Sequence, residues 1–167
     1  MTLWLVGMMG SGKTSAGQLA AAALGVAFFD TDDEVVSAAG RSVTEIWAEL
    51  GEASFRELES AAIRRLAGDD AVVATGGGAV LDSRNRDLMR ATGPVFWLRS
   101  PPQVLAGRLE GSSGRPLLDG AADREADLAR VLAERSAFYS EAAEFEIDTS
   151  RLTADEVALR IEELWRS

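Results

Sequence analysis

The sequence predicts an α/β fold, in which helices cover both faces of a parallel β-sheet. Two observations predict it. Short apolar runs alternate with longer segments of helical periodicity along the 167 residues, and a glycine-rich loop joins the first apolar run to the first helix. Strand, glycine loop and helix in that order open a βαβ unit. Because ligands of such sheets bind at the carboxyl ends of the strands, we expect functional residues to follow the strands directly.

Five apolar runs are predicted to be strands, because each is short, lies between turn signals and suits burial on both faces of a sheet. They are residues 3–6, 26–29, 71–74, 95–98 and 145–147. Helices are predicted between them and after the last one. Two of these helices are predicted from their periodicity and length: residues 13–24, which end at Gly25, and residues from about 123 to 142.

Serine or threonine followed three residues later by glutamate predicts a helix start, because the pair caps free N–H groups of the first turn. The pairs are Ser42 with Glu45, Ser54 with Glu57, and Thr153 with Glu156, the last opening a helix to about Trp165. Ser100 is predicted to be an N-cap with Pro101 at the first helical position, in a helix that ends near Leu109. Residues 110–122 show no periodicity and are rich in glycine, which predicts a mobile loop.

The composition limits which side chains can act in catalysis and which ligands the chain can bind. The chain contains no cysteine and no histidine, so acid–base work falls to carboxylates, lysine or tyrosine. The formal net charge of -10 argues against a nucleic-acid partner, since phosphate backbones require a basic surface. An anionic ligand would therefore need the few Arg and Lys side chains gathered in one cleft.

The amino terminus predicts neither a signal peptide nor a membrane span. Residues 1–9 lack a basic segment, and glycines interrupt the apolar run early. No later segment approaches the roughly 18 apolar residues that cross a bilayer. We expect a cytoplasmic protein without membrane contact.

Residues 7–14, GMMGSGKT, satisfy the P-loop pattern GxxxxGK[ST] between a predicted strand and a predicted helix. Its glycines let successive backbone N–H groups surround phosphate oxygens at the positive end of the helix dipole. Lys13 is predicted to bridge the β- and γ-phosphates of ATP, and the Thr14 hydroxyl to bind Mg²⁺. The alternative is a glycine-rich turn that a Lys-Thr pair follows by chance. The residues predicted to hold the nucleotide here are Gly10, Ser11, Gly12, Lys13, Thr14 and Ser15.

Asp30 and Asp32 follow the second predicted strand and, at a spacing of two, project to the same side of an extended chain. One carboxylate could hold Mg²⁺ through water, while the other orients or deprotonates an acceptor hydroxyl. The alternative is that Asp32 and Asp33 simply cap the next helix.

Residues 76–78 are three glycines after the third predicted strand, so a ligand can lie directly against the backbone there, although a tight turn explains them too. Arg56 lies on a predicted helix and could be a solvated surface residue. Arg115 is the one positively charged side chain of the loop over 110–122, which suits a lid that closes on the transferring phosphoryl group.

Together these motifs resemble the shikimate kinase family over nearly the whole chain. The segments that carry the resemblance are GMMGSGKT at 7–14, FDTD at 29–32, SFRELE at 54–59, TGGGAV at 75–80, GRPLL at 114–118 and RSAFY at 135–139. The resemblance implies a single P-loop NTPase domain of the nucleoside-monophosphate-kinase type, spanning residues 1–167. Its three α/β/α layers would hold a parallel sheet of order 2-3-1-4-5, with a substrate-binding subdomain at about 32–62 and a lid at about 110–122.

The resemblance also implies residue roles in a Mg²⁺-dependent transfer from ATP to the 3-hydroxyl of shikimate, a step in the synthesis of chorismate and the aromatic amino acids. Lys13, Asp32 and Arg115 would be catalytic, with Asp32 as the base, and Asp30 would serve Mg²⁺ through water. The acceptor pocket would comprise Asp32, Arg56, Gly76, Gly77, Gly78 and Arg135, with both arginines on the substrate carboxylate. Arg108 would lie against the adenine, which Arg151 would approach from the other side, and Arg115 would close onto the γ-phosphate.

Two other functions stay open from the sequence. A related small-metabolite kinase, such as a gluconate kinase, would share the P-loop and the fold but not the full carboxylate pocket. A nucleotide-dependent regulatory module would bind ATP without an acceptor. The family resemblance further implies a monomer that binds only its two small-molecule substrates.

Overall fold

A parallel sheet of five strands forms the centre of the protein, in a computed structural model that describes residues 1–110 and 123–166. The strand order is β2-β3-β1-β4-β5, which confirms the order that the family resemblance implied. All four strand pairs are parallel. The strands are β1 Thr2–Val6, β2 Ala27–Asp30, β3 Ala71–Ala74, β4 Val95–Arg99 and β5 Phe145–Asp148.

Seven α-helices and a 3-10 turn connect the described strands and cover the sheet. The helices are α1 Lys13–Leu24, α2 Thr31–Ala39, α3 Val43–Leu66, α4 Ser83–Thr92, α5 Pro102–Arg108, α6 Arg124–Ala142 and α7 Ala154–Trp165, with the 3-10 turn at Ala79–Leu81. The predicted ends of α1, α6 and α7 are confirmed to within one residue. Capping boxes at Ser42 and Thr153 begin α3 and α7 as predicted.

The core has two layers because neighbouring strand residues face opposite sides of the sheet. Along β1, Trp4 and Val6 contribute to the cluster under α4 and α6, whereas Leu3 and Leu5 pack against α1 and α7. These four side chains are at most 2% exposed, so β1 is buried on both faces. A third, smaller cluster joins α2 to α3 apart from the sheet.

The predicted helix start at Ser54 is wrong. Ser54 lies inside α3, and its hydroxyl donates a hydrogen bond to the Leu50 carbonyl at 2.9 Å instead of capping a first turn. The helix is interrupted at Gly51, where φ is 83° and ψ is 168°. Glycine adopts this left-handed φ without the Cβ clash of other residues, so the break lies three residues before the predicted one.

The predicted N-cap at Ser100 is also wrong, by one residue. Pro101 is the N-cap of α5 and Pro102 is its first helical residue, because the chain has two consecutive prolines and the second one takes the N1 position. The Ser100 hydroxyl instead shares a hydrogen bond of 2.7 Å with the Thr149 hydroxyl. The predicted loop lies, apart from Glu110, outside the described residues.

The parallel strands end at one edge of the sheet, and this edge positions the site. The P-loop follows β1, Asp30 ends β2, and the glycines of 76–78 follow β3. None of the helices in residues 1–110 and 123–166 is long and apolar enough to cross a membrane.

Candidate functional site

A cavity of ≈ 740 Å³ opens at the carboxyl edge of the sheet. Arg151 is exposed and does not line it, and Arg115 lies outside the described residues. The other residues that the sequence predicts for the site all line this one cavity. They are Gly10, Ser11, Gly12, Lys13, Thr14, Ser15, Asp30, Asp32, Arg56, Gly76, Gly77, Gly78, Arg108 and Arg135.

The P-loop leaves the amino end of α1 open to a ligand. Gly12 is the N-cap of α1 with φ at 95°, and no side chain caps the helix. The amino end of α1, with the positive end of the helix dipole, therefore faces the cavity, where it favours an anion. The Lys13 ammonium donates to the carbonyls of Gly7 and Met8 at 2.8 and 2.9 Å, which places its charge within the loop.

Asp30 connects the P-loop helix to the second strand. Its Oδ2 accepts a hydrogen bond from the Thr14 hydroxyl at 2.9 Å, and its Oδ1 accepts one from the Asp32 N–H at 3.0 Å. Asp30 is therefore the N-cap of α2. The alternative from the sequence, in which Asp32 and Asp33 cap this helix, is wrong because both lie in its first turn.

The pair of Thr14 and Asp30 suits a magnesium ion. Among the described residues no group of three or more acidic side chains could hold a metal by itself. Mg²⁺ does not need such a group, because it keeps several waters and takes one or two protein oxygens together with substrate phosphates. A hydroxyl and a carboxylate within 2.9 Å of each other, beside the P-loop, provide hard oxygen ligands of this kind.

The three glycines after β3 form a wall, and each of them faces a different charged side chain. A Cβ on Gly76 would overlap the Glu59 carboxylate and lie 3.0 Å from the Asp32 carboxylate, and one on Gly77 would lie 3.3 Å from a guanidinium nitrogen of Arg135. A Cβ on Gly78 would overlap the Arg56 guanidinium. This glycine wall, residues 76–78, therefore lets two carboxylates and two guanidinium groups approach the backbone side by side.

The Arg56 guanidinium is held from several sides. It donates to Glu59 at 2.8 Å and to Glu52 at 3.3 Å. Its Cζ lies 5.7 Å from the centre of the Trp47 ring and 5.4 Å from that of Phe55, within the range of cation–π contacts. These contacts leave the side chain 22% exposed and fix its head at the cavity wall.

Glu59 is a site residue that sequence reasoning missed. Its side chain is buried, and its Oε2 pairs with Arg56 one helical turn earlier. Burial raises the pKa of Glu59 above its ordinary value, although the nearby Arg56 guanidinium acts in the opposite direction. The spacing of three between arginine and glutamate in SFRELE was the available signal, but such pairs are also common on solvated helix surfaces.

Substitution of Glu59 by glutamine is expected to change how stability depends on pH. Since burial raises the folded pKa, the folded state favours the protonated carboxyl; this stabilisation is complete below the ordinary pKa and is lost as the pH rises through the folded pKa. The free energy of unfolding of the wild type, relative to Glu59→Gln, should therefore fall from pH ~4.5 upward. Urea unfolding across this range measures it.

Glu57→Gln is the matched control, because Glu57 is an exposed carboxylate on the same helix. The difference in free energy of unfolding between Glu57→Gln and the wild type should stay nearly constant over the same pH range. If the free energy of unfolding of the wild type relative to Glu59→Gln were also constant with pH, the direction of the pKa shift would be contradicted.

Arg108 joins the P-loop to the loop after β5. One guanidinium nitrogen donates to the hydroxyls of Ser100 and Thr149 at 3.2 and 3.1 Å, and the other donates to the Thr149 carbonyl at 2.5 Å. The Thr149 hydroxyl in turn contacts the Ser11 carbonyl of the P-loop at 3.1 Å. The plane of Arg108 is therefore fixed at the side of the cavity next to the P-loop.

The sheet order, the uncapped P-loop helix and the carboxylate beside it define a P-loop phosphotransferase that uses a nucleoside triphosphate. Comparison with known sequences then gives the family. A sequence model of shikimate kinase matches residues 9–165, so the chain belongs to the shikimate kinase family of ATP-dependent kinases.

Curated relatives and solved structures agree with this assignment. A shikimate kinase of Symbiobacterium thermophilum is 45% identical over 166 residues, which are 98% of this chain and 95% of the relative. The structure of a shikimate kinase from Acinetobacter baumannii in complex with shikimate has a TM-score of 0.94 and 34% identity, and the match covers 98% of this chain and 91% of that chain. The shikimate kinase structure from Bacteroides thetaiotaomicron has a TM-score of 0.90 and 32% identity, covering 100% of this chain and 99% of that one.

Proposed function

We propose that the chain transfers the γ-phosphoryl group of ATP to the 3-hydroxyl of shikimate, giving shikimate 3-phosphate. One observation carries the proposal: Asp32, Arg135 and Arg56 lie against three consecutive glycines, in the same cavity as the P-loop. Shikimate is a small ring with one carboxylate and several hydroxyls. Its carboxylate suits the arginines, and its hydroxyls then face Asp32 and the phosphates.

The acceptor carboxylate binds between Arg56 and Arg135. Guanidinium groups favour a planar carboxylate over other anions because they donate two parallel hydrogen bonds. Arg135 is only 5% exposed, so its pairing with the substrate takes place away from bulk water and is correspondingly strong. The N–H of Gly77 adds a donor, and the absence of side chains on Gly76 and Gly78 leaves the space that the Asp32 carboxylate and the Arg56 guanidinium occupy at the wall.

Asp32 orients the acceptor hydroxyl and accepts its proton during transfer. The chain has no histidine, so a carboxylate takes this role. Asp32 also lines the cavity, and the Asp30 cap fixes its backbone beside the P-loop. The proton thus passes to a group at the end of the glycine wall opposite Arg56.

Phosphate binding falls to the P-loop, where the amides from Gly10 to Ser15 and the Lys13 ammonium surround the β- and γ-phosphates. Phosphoryl transfer depends mainly on positioning and charge neutralisation, which these groups provide. Arg108 lies against the adenine. Arg115 closes onto the γ-phosphate, and Arg151 approaches the adenine from the opposite side; both assignments rest on the sequence motif alone.

The Thr14 hydroxyl would hold Mg²⁺ directly, and Asp30 would hold it through a water molecule. The ion neutralises charge on the β- and γ-phosphates when it is bound. Thr14 and Asp30 keep their oxygens together at 2.9 Å, which supports this assignment.

The chain works as one kinase domain, as a monomer in the cytoplasm, where ATP is available. Residues 32–62 form its substrate-binding subdomain. The small cluster of Val35, Ile46, Phe55 and Ala62, which is separate from the sheet layers, supports this boundary. Residues 110–122 serve as a lid that excludes water during transfer and limits wasteful hydrolysis of ATP.

The proposal is tested by release of ADP with a panel of polyhydroxy acids, measured in a coupled assay with ATP and Mg²⁺. We expect turnover on shikimate and none above background on gluconate. Turnover on gluconate alone would assign the chain to another class of metabolite kinase. Binding of ATP without turnover on any acceptor would indicate a regulatory module.

A further inference from the structure

Tyr139 contributes a hydrogen bond to the back of the glycine wall. It lies on α6 one turn after Arg135, and both side chains are buried. The Tyr139 ring stacks on Trp97 of β4, with 5.6 Å between ring centres and 26° between planes. Its hydroxyl donates to the Gly77 carbonyl at 2.5 Å.

This bond holds the peptide that joins Gly77 to Gly78. The Gly76 carbonyl already accepts a hydrogen bond from the Ala79 N–H at 3.1 Å, which fixes the peptide before Gly77. The next peptide joins two glycines, whose backbone angles vary more freely than those of other residues. Within the described residues, Tyr139 supplies the hydrogen bond that holds it.

The direction of this peptide matters to an anion. A trans peptide is planar, so its N–H points away from its carbonyl. With the Gly77 carbonyl held by the Tyr139 hydroxyl, the Gly78 N–H points away from that hydroxyl, and Gly78 lines the cavity. A rotated peptide would instead present carbonyl oxygen to a bound carboxylate and repel it.

We propose that Tyr139 is a positioning residue for the acceptor: its hydroxyl holds the Gly77–Gly78 peptide in the orientation that a carboxylate requires. The inference rests on the proposed function. The hydroxyl also accepts a hydrogen bond from the Arg135 guanidinium, so one phenol orients two parts of the carboxylate pocket. Burial raises the pKa of Tyr139 to about 12, which keeps the hydroxyl protonated as a donor, although Arg135 acts against this shift.

Tyr139→Phe tests the inference, because it removes the hydroxyl and keeps the ring on Trp97. We expect KM for shikimate to rise at least about tenfold, with kcat and KM for ATP changed less than about threefold, since only acceptor binding loses a contact. Thr2→Val is the matched control. The Thr2 hydroxyl is also buried and bonded to backbone carbonyls, those of Leu66 and Asp69, but it lies outside the cavity.

Thr2→Val should lower the melting temperature as Tyr139→Phe does, and leave both KM values unchanged. Equal KM values for shikimate in Tyr139→Phe and the wild type would overturn the inference while the proposed function stands. A wild type that neither binds nor phosphorylates shikimate would overturn both.

A second measurement applies even if Tyr139→Phe does not fold. Tyr139 is the one tyrosine of the chain, so growth with 3-fluorotyrosine labels this position alone. The fluorine resonance of the folded protein should shift on saturation with shikimate and stay in place with ADP and Mg²⁺. A resonance that shikimate does not move would overturn the inference.

Discussion

Asp32→Asn is expected to lower turnover on shikimate by about 30- to 1000-fold, equivalent to ~2–4 kcal/mol in the barrier. The amide keeps the size of the side chain but cannot accept the proton of the acceptor hydroxyl. KM for ATP should change little, because the P-loop binds the phosphates independently of Asp32. Steady-state kinetics with shikimate and ATP measure both quantities.

Asp33→Asn is the matched control, since Asp33 is the neighbouring carboxylate in the first turn of α2 and is exposed. It should retain turnover close to that of the wild type. Near-normal turnover in Asp32→Asn, with the fold intact by circular dichroism, would remove Asp32 from its catalytic role.

Gly78→Ala is expected to raise KM for shikimate by about 100-fold, because its methyl group occupies the place of the Arg56 guanidinium. Gly78 has φ at -99°, which alanine adopts without strain, so the effect comes from the displaced arginine and not from the backbone. Binding of ATP, followed by calorimetry, should stay within about twofold of the wild type, since the P-loop is not touched.

Gly107→Ala provides the control for adding a methyl group. Apart from its own helix backbone and its chain neighbours, no heavy atom of residues 1–110 and 123–166 would lie within 4 Å of its Cβ, and alanine favours the helix α5 in which Gly107 lies. This variant should keep its kinetics and gain slightly in stability. If Gly78→Ala kept the wild-type KM for shikimate, Arg56 would not bind the acceptor at this wall.

The parts of the fold that the sequence predicts well have local causes. The strands of the sheet are short apolar runs next to glycines or carboxylates, and α1 ends at Gly25 because glycine adopts the left-handed C-cap. The capping boxes of α3 and α7 are equally local. Ser54 shows the limit of such reasoning, because its pattern matches a cap while the helix break depends on the φ angle of Gly51.

The parts of the site that could not be predicted from the sequence depend on contacts between residues far apart in the chain. Glu59 and Tyr139 become part of the site only when α3 and α6 pack beside the glycine wall, and neither residue differs in type or spacing from those of an ordinary helix face. The family resemblance implied the sheet order. It also implied that Arg56 and Arg135 bind the substrate carboxylate together. The order is confirmed by the structure. The roles of the two arginines stay predictions.

The central claim is that an acidic chain places two guanidinium groups and a carboxylate along three glycines, so that a carboxylate acceptor meets the γ-phosphate of ATP. A crystal structure with shikimate, ADP and Mg²⁺ tests it most directly. We predict the shikimate carboxylate between Arg56 and Arg135 and its 3-hydroxyl within hydrogen-bonding distance of Asp32. A shikimate carboxylate bound away from both arginines, or a 3-hydroxyl turned away from the P-loop, would contradict the claim.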